Sequence, residues 1–203
     1  TTDLAQNTWY HLATTFDGTT LKLYVNGVLE NTVDAGGLHP RVTTNALSLG
    51  LTNGTQYVNG ALDEVRIWNI ARSCEEIRQL RNCELAGSES GLVAYYKFNQ
   101  GFANENNSGV TTLTDAATAL GGANDGTLNG FTLSGPSSNW IAPGGVTTGT
   151  SCPVSITYPE ADLLGHDNTP LADGTTSTSV AVRERSALSA FRQGTRSPSQ
   201  ATR

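Results

Sequence analysis

Methionine is absent from this 203-residue chain, and lysine occurs only twice, as Lys22 and Lys97. Aromatic residues make up 7% and charged residues 15%, and no run of eighteen apolar residues exists, so a membrane-spanning helix is excluded. Three cysteines and three histidines are present (Cys74, Cys83, Cys152; His11, His39, His166), in neither a CxxC nor a Cys/His zinc spacing. That argues against a structural zinc. No G-x-S-x-G occurs, because Gly87-Ser88-Glu89-Ser90-Gly91 places Glu at its centre, and the two lysines fit no phosphate-binding loop.

What the chain has instead is Thr, Ser, Asn and Gly, together 82 of its 203 residues. Thr, Asn and Gly rank low in helix propensity, which favours short strands and tight turns over a helix bundle. The net charge of −6 hides an asymmetry. Residues 1–182 carry seventeen acidic and seven basic groups, whereas residues 183–203 carry five Arg against Glu184 alone. The acidic body repels nucleic acid, and the Arg-rich end reads as a disordered tail without periodicity. The chain starts Thr1-Thr2-Asp3, with neither an initiator Met nor a signal-like apolar stretch, which reads as a mature product or an excised fragment.

Residues 9–70 read as strands punctuated by Asp17-Gly18, Asn26-Gly27, Asn53-Gly54 and Asn59-Gly60 turns. Trp9 to Phe16, Leu21 to Val25, Leu47 to Leu51 and Ala61 to Ile70 are the expected strands. In the second of these, Leu21, Leu23 and Val25 alternate with Lys22 and Tyr24. A capping box, Ser73 with Glu76, opens one short helix to about Arg81, with Cys74, Ile77 and Leu80 on one stripe. Gly91 to Phe98 reads as a strand with aromatics on both faces. Residues 101–150 read as short strands and long loops anchored by Leu113, Leu128, Phe131 and Trp140.

Three blocks carry a resemblance: Trp9-Tyr10-His11-Leu12-Ala13, Leu21-Lys22-Leu23-Tyr24-Val25-Asn26-Gly27, and Gly60-Ala61-Leu62-Asp63-Glu64-Val65-Arg66-Ile67-Trp68-Asn69 running into the capped helix. In this order they resemble the laminin-G-like family of concanavalin A-like jelly rolls. The resemblance implies an all-β antiparallel sandwich. Only eight residues precede Trp9, so the chain reads as a domain cut through its middle. Residues 1–90 are taken as the C-terminal part of a jelly roll, and residues 91–142 as the start of a second unit or the completion of the first. Residues 143–151 are read as a linker, 152–182 as the start of a further β segment, and 183–203 as the tail. Segments of this kind occur in large secreted multi-module proteins, which implies other modules of the same protein as neighbours and an extracellular or cell-surface location.

The superfamily includes glucanases, so Asp63-Glu64 needs weighing as a catalytic pair. Two carboxylates cleave a glycoside only when both reach one cleft, and adjacent strand residues point to opposite faces. A structural role beside Arg66 is the expectation, and the chain is read as no enzyme. By strand parity, Val65 and Ile67 take the core face and Arg66 and Trp68 the other. Tyr24, Arg66 and Trp68 are then candidate residues for a glycan or glycoprotein ligand, because aromatics stack on sugar faces and guanidinium groups hydrogen-bond hydroxyls. The alternative is a structural spacer in which Trp68 is covered. No cofactor is required. Calcium is a candidate through the family's loop-rim sites, with Asp17, Asp115 and Asp125 as contributors. A loose EF-hand-like spacing of Asn104, Asn106, Ser108, Gly109 and Asp115 adds little, since position 12 is a short Asp. Asn53-Gly54-Thr55 and Asn106-Asn107-Ser108 match the glycosylation sequon. Cys74 and Cys83 are expected to form a local disulfide in an oxidising compartment, the alternative being two reduced core thiols.

Overall fold

Two tight turns build the first sheet. At the first, Asp17 Oδ1 accepts the amides of Thr19 (3.0 Å) and Thr20 (2.8 Å), while Gly18 takes φ 102°. At the second, Asn26 (φ 51°) and Gly27 (φ 79°) occupy the left-handed positions that a type I′ hairpin demands. In this computed structural model, which describes residues 2–37, 44, 46–52, 56–121 and 124–153, the result is an antiparallel meander of β1 (Leu12–Phe16), β2 (Thr20–Val25) and β3 (Val28–Asp34). The Asn53-Gly54 turn with its sequon, the β segment expected beyond Pro153 and the Arg-rich tail lie outside the described residues.

A short hairpin, β4 (Leu51–Thr52) with β5 (Gln56–Tyr57), follows. Then β6 (Val65–Trp68) leads to helix α1 (Cys74–Leu80) and β7 (Leu92–Tyr96), which returns antiparallel to β6. Strands β8 (Thr112–Leu113) and β9 (Gly126–Thr127) form a last pair. The helix begins as its sequence dictates. Ser73 Oγ accepts the Glu76 amide at 3.2 Å, and Glu76 accepts the Ser73 amide at 2.8 Å. Such a cap is worth about 1 kcal/mol.

The core is centred on Ala94, Tyr96, Leu113 and Trp140, with Val65 and Ile67 of β6 packed against it, as strand parity requires. Strand β7 is buried on both faces. Leu92 is wholly enclosed, a burial worth roughly 2 kcal/mol, and Tyr95 is equally enclosed on the opposite side.

The meander reverses one expectation. Leu21, Leu23 and Val25 do alternate with Tyr24, but Leu21 and Leu23 are 44% and 38% exposed while Tyr24 is 3% exposed. The cause is the position of α1, which lies against the β2–β3 turn. A Cβ at Gly27 would stand 3.1 Å from Arg78 Cα, and Cys74 Sγ reaches Gly27 O at 3.5 Å. Burial therefore concentrates at the turn end of β2, in Tyr24 and Val25, and fades toward Leu21.

Candidate functional site

Strand β6 begins at a constrained point. Glu64, in the left-handed region at φ 53°, sends its carboxylate back across the strand to Arg66 at 2.6 Å. Both side chains are 9% exposed. Tyr95 Oη donates to the same Glu64 oxygen at 2.6 Å and accepts the Leu85 amide at 3.1 Å. Arg66 also donates to the carbonyl of Leu80 at 2.6 Å and to that of Cys83. It thus ties the end of α1 to the sheet. Arg66 and Lys97 lie 5.5 and 5.3 Å from the Tyr95 ring centre. Burial raises the Glu64 carboxyl above its ordinary range, opposed by Tyr95 and Arg66, and burial with the Glu64 contact raises the Tyr95 phenol. His11 joins this region, its imidazole lowered to about 4 by burial and then by Arg66 and Arg81.

This arrangement corrects two of the three ligand candidates as exposed groups. Tyr24 is buried beside the helix, and Arg66 is committed to an internal polar cluster. Trp68 is half-buried, with the Arg72 guanidinium 4.2 Å from its ring centre; Arg72 is held in turn by Glu76 at 3.3 Å. The three residues do not assemble into an open platform. Asp63 is also engaged, accepting the Val146 amide at 3.0 Å. The two adjacent carboxylates that precede β6 therefore serve different structural contacts.

The three aspartates considered for calcium separate as well. Asp17 closes the β1–β2 turn. Asp115 and Asp125 do come together, but through an Asp115 amide donating to Asp125 Oδ1 at 2.8 Å. The Asp115 carboxylate accepts the amides of Tyr95 (2.8 Å), Ala117 (2.9 Å) and Asn124 (3.0 Å) and the Asn124 side chain. Its burial would raise it, yet those amides outweigh burial and hold it below the usual carboxylate range. Of the loose EF-hand spacing, Asn106 instead caps Ser108 at 3.0 Å and accepts Ser134 Oγ at 3.2 Å. Among the described residues, no group of three His, Cys, Asp or Glu able to hold a metal occurs.

The disulfide expectation is also corrected. Cys83 bonds Cys152, and Cys74 is a free, exposed thiol. Cys74 is the first residue of α1, whose rise of about 1.5 Å per residue carries the chain away from it. Cys83 instead meets the segment that pairs with Glu84. Glu84 N donates to Thr150 O at 2.6 Å, Cys152 N donates to Glu84 O at 3.0 Å, and the Glu84 carboxylate takes Gly149 N (2.8 Å), Lys97 Nζ (3.2 Å) and Asn99 Nδ2 (2.8 Å). Residues 143–151 lie against the body through these contacts and through Gly145, which sits on the Trp9 ring.

A Trp9 block, an Asn-Gly hairpin, a carboxylate-led strand and a capped helix thus fold in the order that the sequence resemblance implies. Residues 1–78 match the concanavalin A-like lectin/glucanases superfamily. The antiparallel strands with one short helix are consistent with a concanavalin A-like β-sandwich. Among solved structures, the chain resembles one described as a "putative carbohydrate binding protein" from Bacteroides ovatus ATCC 8483, at 27% identity and a TM-score of 0.45, covering 64% of this chain and 39% of that one. It also resembles an S-layer domain-containing protein from Clostridium thermocellum ATCC 27405, at 24% identity and a TM-score of 0.29, covering 39% and 42%. The chain spans about two fifths of the length of these structures. No curated protein matches it. No helix among the described residues is long and apolar enough to cross a membrane.

A shallow groove was missed by sequence reasoning. Gln100, Gly109, Val110, Thr111, Thr112 and Thr114 line it, enclosing about 240 Å³. The only signal available was the density of Asn, Gly and Thr between residues 99 and 114, which marks loops without saying which one is rigid.

Proposed function

We propose that this chain is a non-catalytic, extracellular module that recognises carbohydrate or glycoprotein. The superfamily matched by residues 1–78 contains lectins and glucanases, and the state of the two carboxylates that precede β6 favours the first. Glycoside cleavage needs two carboxyl groups facing one cleft, one to protonate the leaving oxygen and one to act as nucleophile or base. Glu64 is consumed by Arg66 and Tyr95, and Asp63 by the Val146 amide. That commitment of both carboxylates is the observation carrying the reading. A disulfide between cysteines 69 residues apart supports an oxidising compartment, hence a secreted or surface location beside other modules.

The test is a printed glycan array probed with the full chain, alongside an assay for reducing ends released from β-glucans and α-glucans. Captured glycan without released sugar is the expected result. Release of reducing ends would make the chain a hydrolase, and neither capture nor release would leave it a structural spacer.

A further inference from the structure

We propose that the uncovered apolar face of the β1–β2–β3 meander is the surface through which this chain pairs with a second copy of itself, about a two-fold axis running along β2. The inference is independent of any ligand.

Strand register defines the face. Directly opposed residues of an antiparallel sheet point to the same side, and successive residues of a strand to opposite sides. The pairings therefore set nine side chains in three rows across the three strands: Phe16, Leu21 and Val33; Thr14, Leu23 and Asn31; Leu12, Val25 and Val28. Seven of the nine are apolar and none is charged. Tyr24 is buried on the other side of the sheet, whereas Val25 alone is buried among these nine. Leu12 is 57% exposed, Val28 63% and Val33 48%, next to the exposed Leu21 and Leu23. Surface leucines scattered singly are ordinary. Five exposed aliphatic side chains in adjoining positions of one sheet face are the pattern of a layer that packs on another layer.

Charge, symmetry and size choose a second copy as the occupant. The chain carries a net charge of −6, so two copies repel wherever their acidic surfaces meet. The uncharged face lets them meet with no like charges opposed. An axis along β2 keeps the rows in register and exchanges the outer strands, so that β1 of one copy lies over β3 of the other. Leu21 and Leu23 then face their own counterparts, and Phe16 faces Val33 of the partner subunit. The two polar side chains of the face share a row on the two exchanging strands, which sets Thr14 against Asn31 of the partner subunit. Asn31 Oδ1 accepts the Thr32 amide at 2.8 Å, and its Nδ2 is the group that donates to the Thr14 hydroxyl. Three rows about 6.8 Å apart on three strands about 4.8 Å apart make a flat patch of roughly 300 Å². A standard interface takes roughly 800 Å² from each partner, so the pair is a weak, reversible dimer.

The experiment follows the full chain by sedimentation equilibrium from about 1 to about 300 μM, with thermal melts at the lowest concentration as the folding control. Every protein carries Cys74→Ser, so that no disulfide between exposed thiols imitates association. The mass should climb from 21.3 kDa toward twice that value, with a dissociation constant on the order of 100 μM. Leu23→Lys and Leu23→Glu should each weaken association about tenfold or more, and their equimolar mixture should associate again, because residue 23 faces its own counterpart. Leu29→Lys, on the opposite face beside Tyr24, should associate as the parent does. All melts should agree, since Leu23 is exposed in the single chain. A parent that stays monomeric at the highest concentration overturns the proposal. So does association that survives both Leu23 variants or is lost in Leu29→Lys. A mixture of the Leu23 variants that stays monomeric overturns the axis. A Leu23→Lys melt well below the parent's means that the face is covered within one chain, and overturns the proposal as well.

Discussion

Reducing the Cys83–Cys152 bond should cost this protein about 4 kcal/mol, because the two cysteines are 69 residues apart and the entropy withheld from the unfolded chain grows with the logarithm of the closed loop. The Cys74–Cys83 pairing suggested by proximity in sequence would close only nine residues and be worth about 2.5 kcal/mol on the same relation. The variants separate cleanly. A Cys83→Ser, Cys152→Ser double substitution should lower the unfolding free energy measured in urea by the full amount. For a compact unit such as Thr1–Pro153, it should lower the melting temperature by about 8 to 16 °C. Cys74→Ser should change almost nothing, since Cys74 makes only a 3.5 Å contact to the Gly27 carbonyl. Non-reducing peptide mapping supplies the independent check. A peptide pair containing Cys74 in the bridge, or a double variant within about 1 kcal/mol of wild type, would refute the reasoning.

Two further perturbations probe the cluster on the far side of β6. Arg66→Leu strands the Glu64 carboxylate and removes the donor to the Leu80 and Cys83 carbonyls, so urea unfolding should show a loss of about 3 to 5 kcal/mol; a loss under about 1 kcal/mol would mean the cluster is solvated. Arg66→Lys should rescue little, because one ammonium nitrogen cannot occupy both positions from which Nη1 reaches Leu80 O and Nη2 reaches Glu64 and the Cys83 carbonyl. His11 has its pKa lowered in the folded protein, so the unfolded chain binds the extra proton between about 6.5 and about 4 and stability falls as pH falls through that window. After allowance for its partial exposure, the loss should be at most about 2 kcal/mol. Glu64, whose carboxyl is raised, contributes with the opposite sign, so the readout is the difference between wild type and His11→Gln across that window. Identical pH profiles, or an NMR titration of His11 near 6.5, would remove the effect.

Much of the local structure was legible because it depends on a few adjacent residues. Asn26-Gly27 demands positive φ at two positions, and Ser73 with Glu76 satisfies the first helical amides reciprocally; both read directly from the chain. The parity of β6 was legible too, and Val65 and Ile67 meet the core as alternation requires. What alternation cannot say is which face of a sheet gets covered. Tyr24 is buried because α1 docks at the β2–β3 turn, a tertiary event with no trace in the pattern Leu-Lys-Leu-Tyr-Val. The Cys83–Cys152 pairing was not legible for a related reason: nearness in sequence is not nearness in space across a helix. Asp115 read as a metal ligand because a carboxylate saturated by backbone amides and one free to coordinate look alike in sequence.

The link between Cys83 and Cys152 also decides how this protein would carry a mechanical load. Tension applied between the meander and Pro153 passes from Cys83 through the sulfur bridge to Cys152, so residues 84–151, with β7, β8 and β9, sit in a closed ring beside the load path. Even with every strand pulled apart, that ring withholds roughly 230 Å of contour length from the extending chain. Oxidised, the molecule is a short tether with a hard stop; reduced, it is a long one.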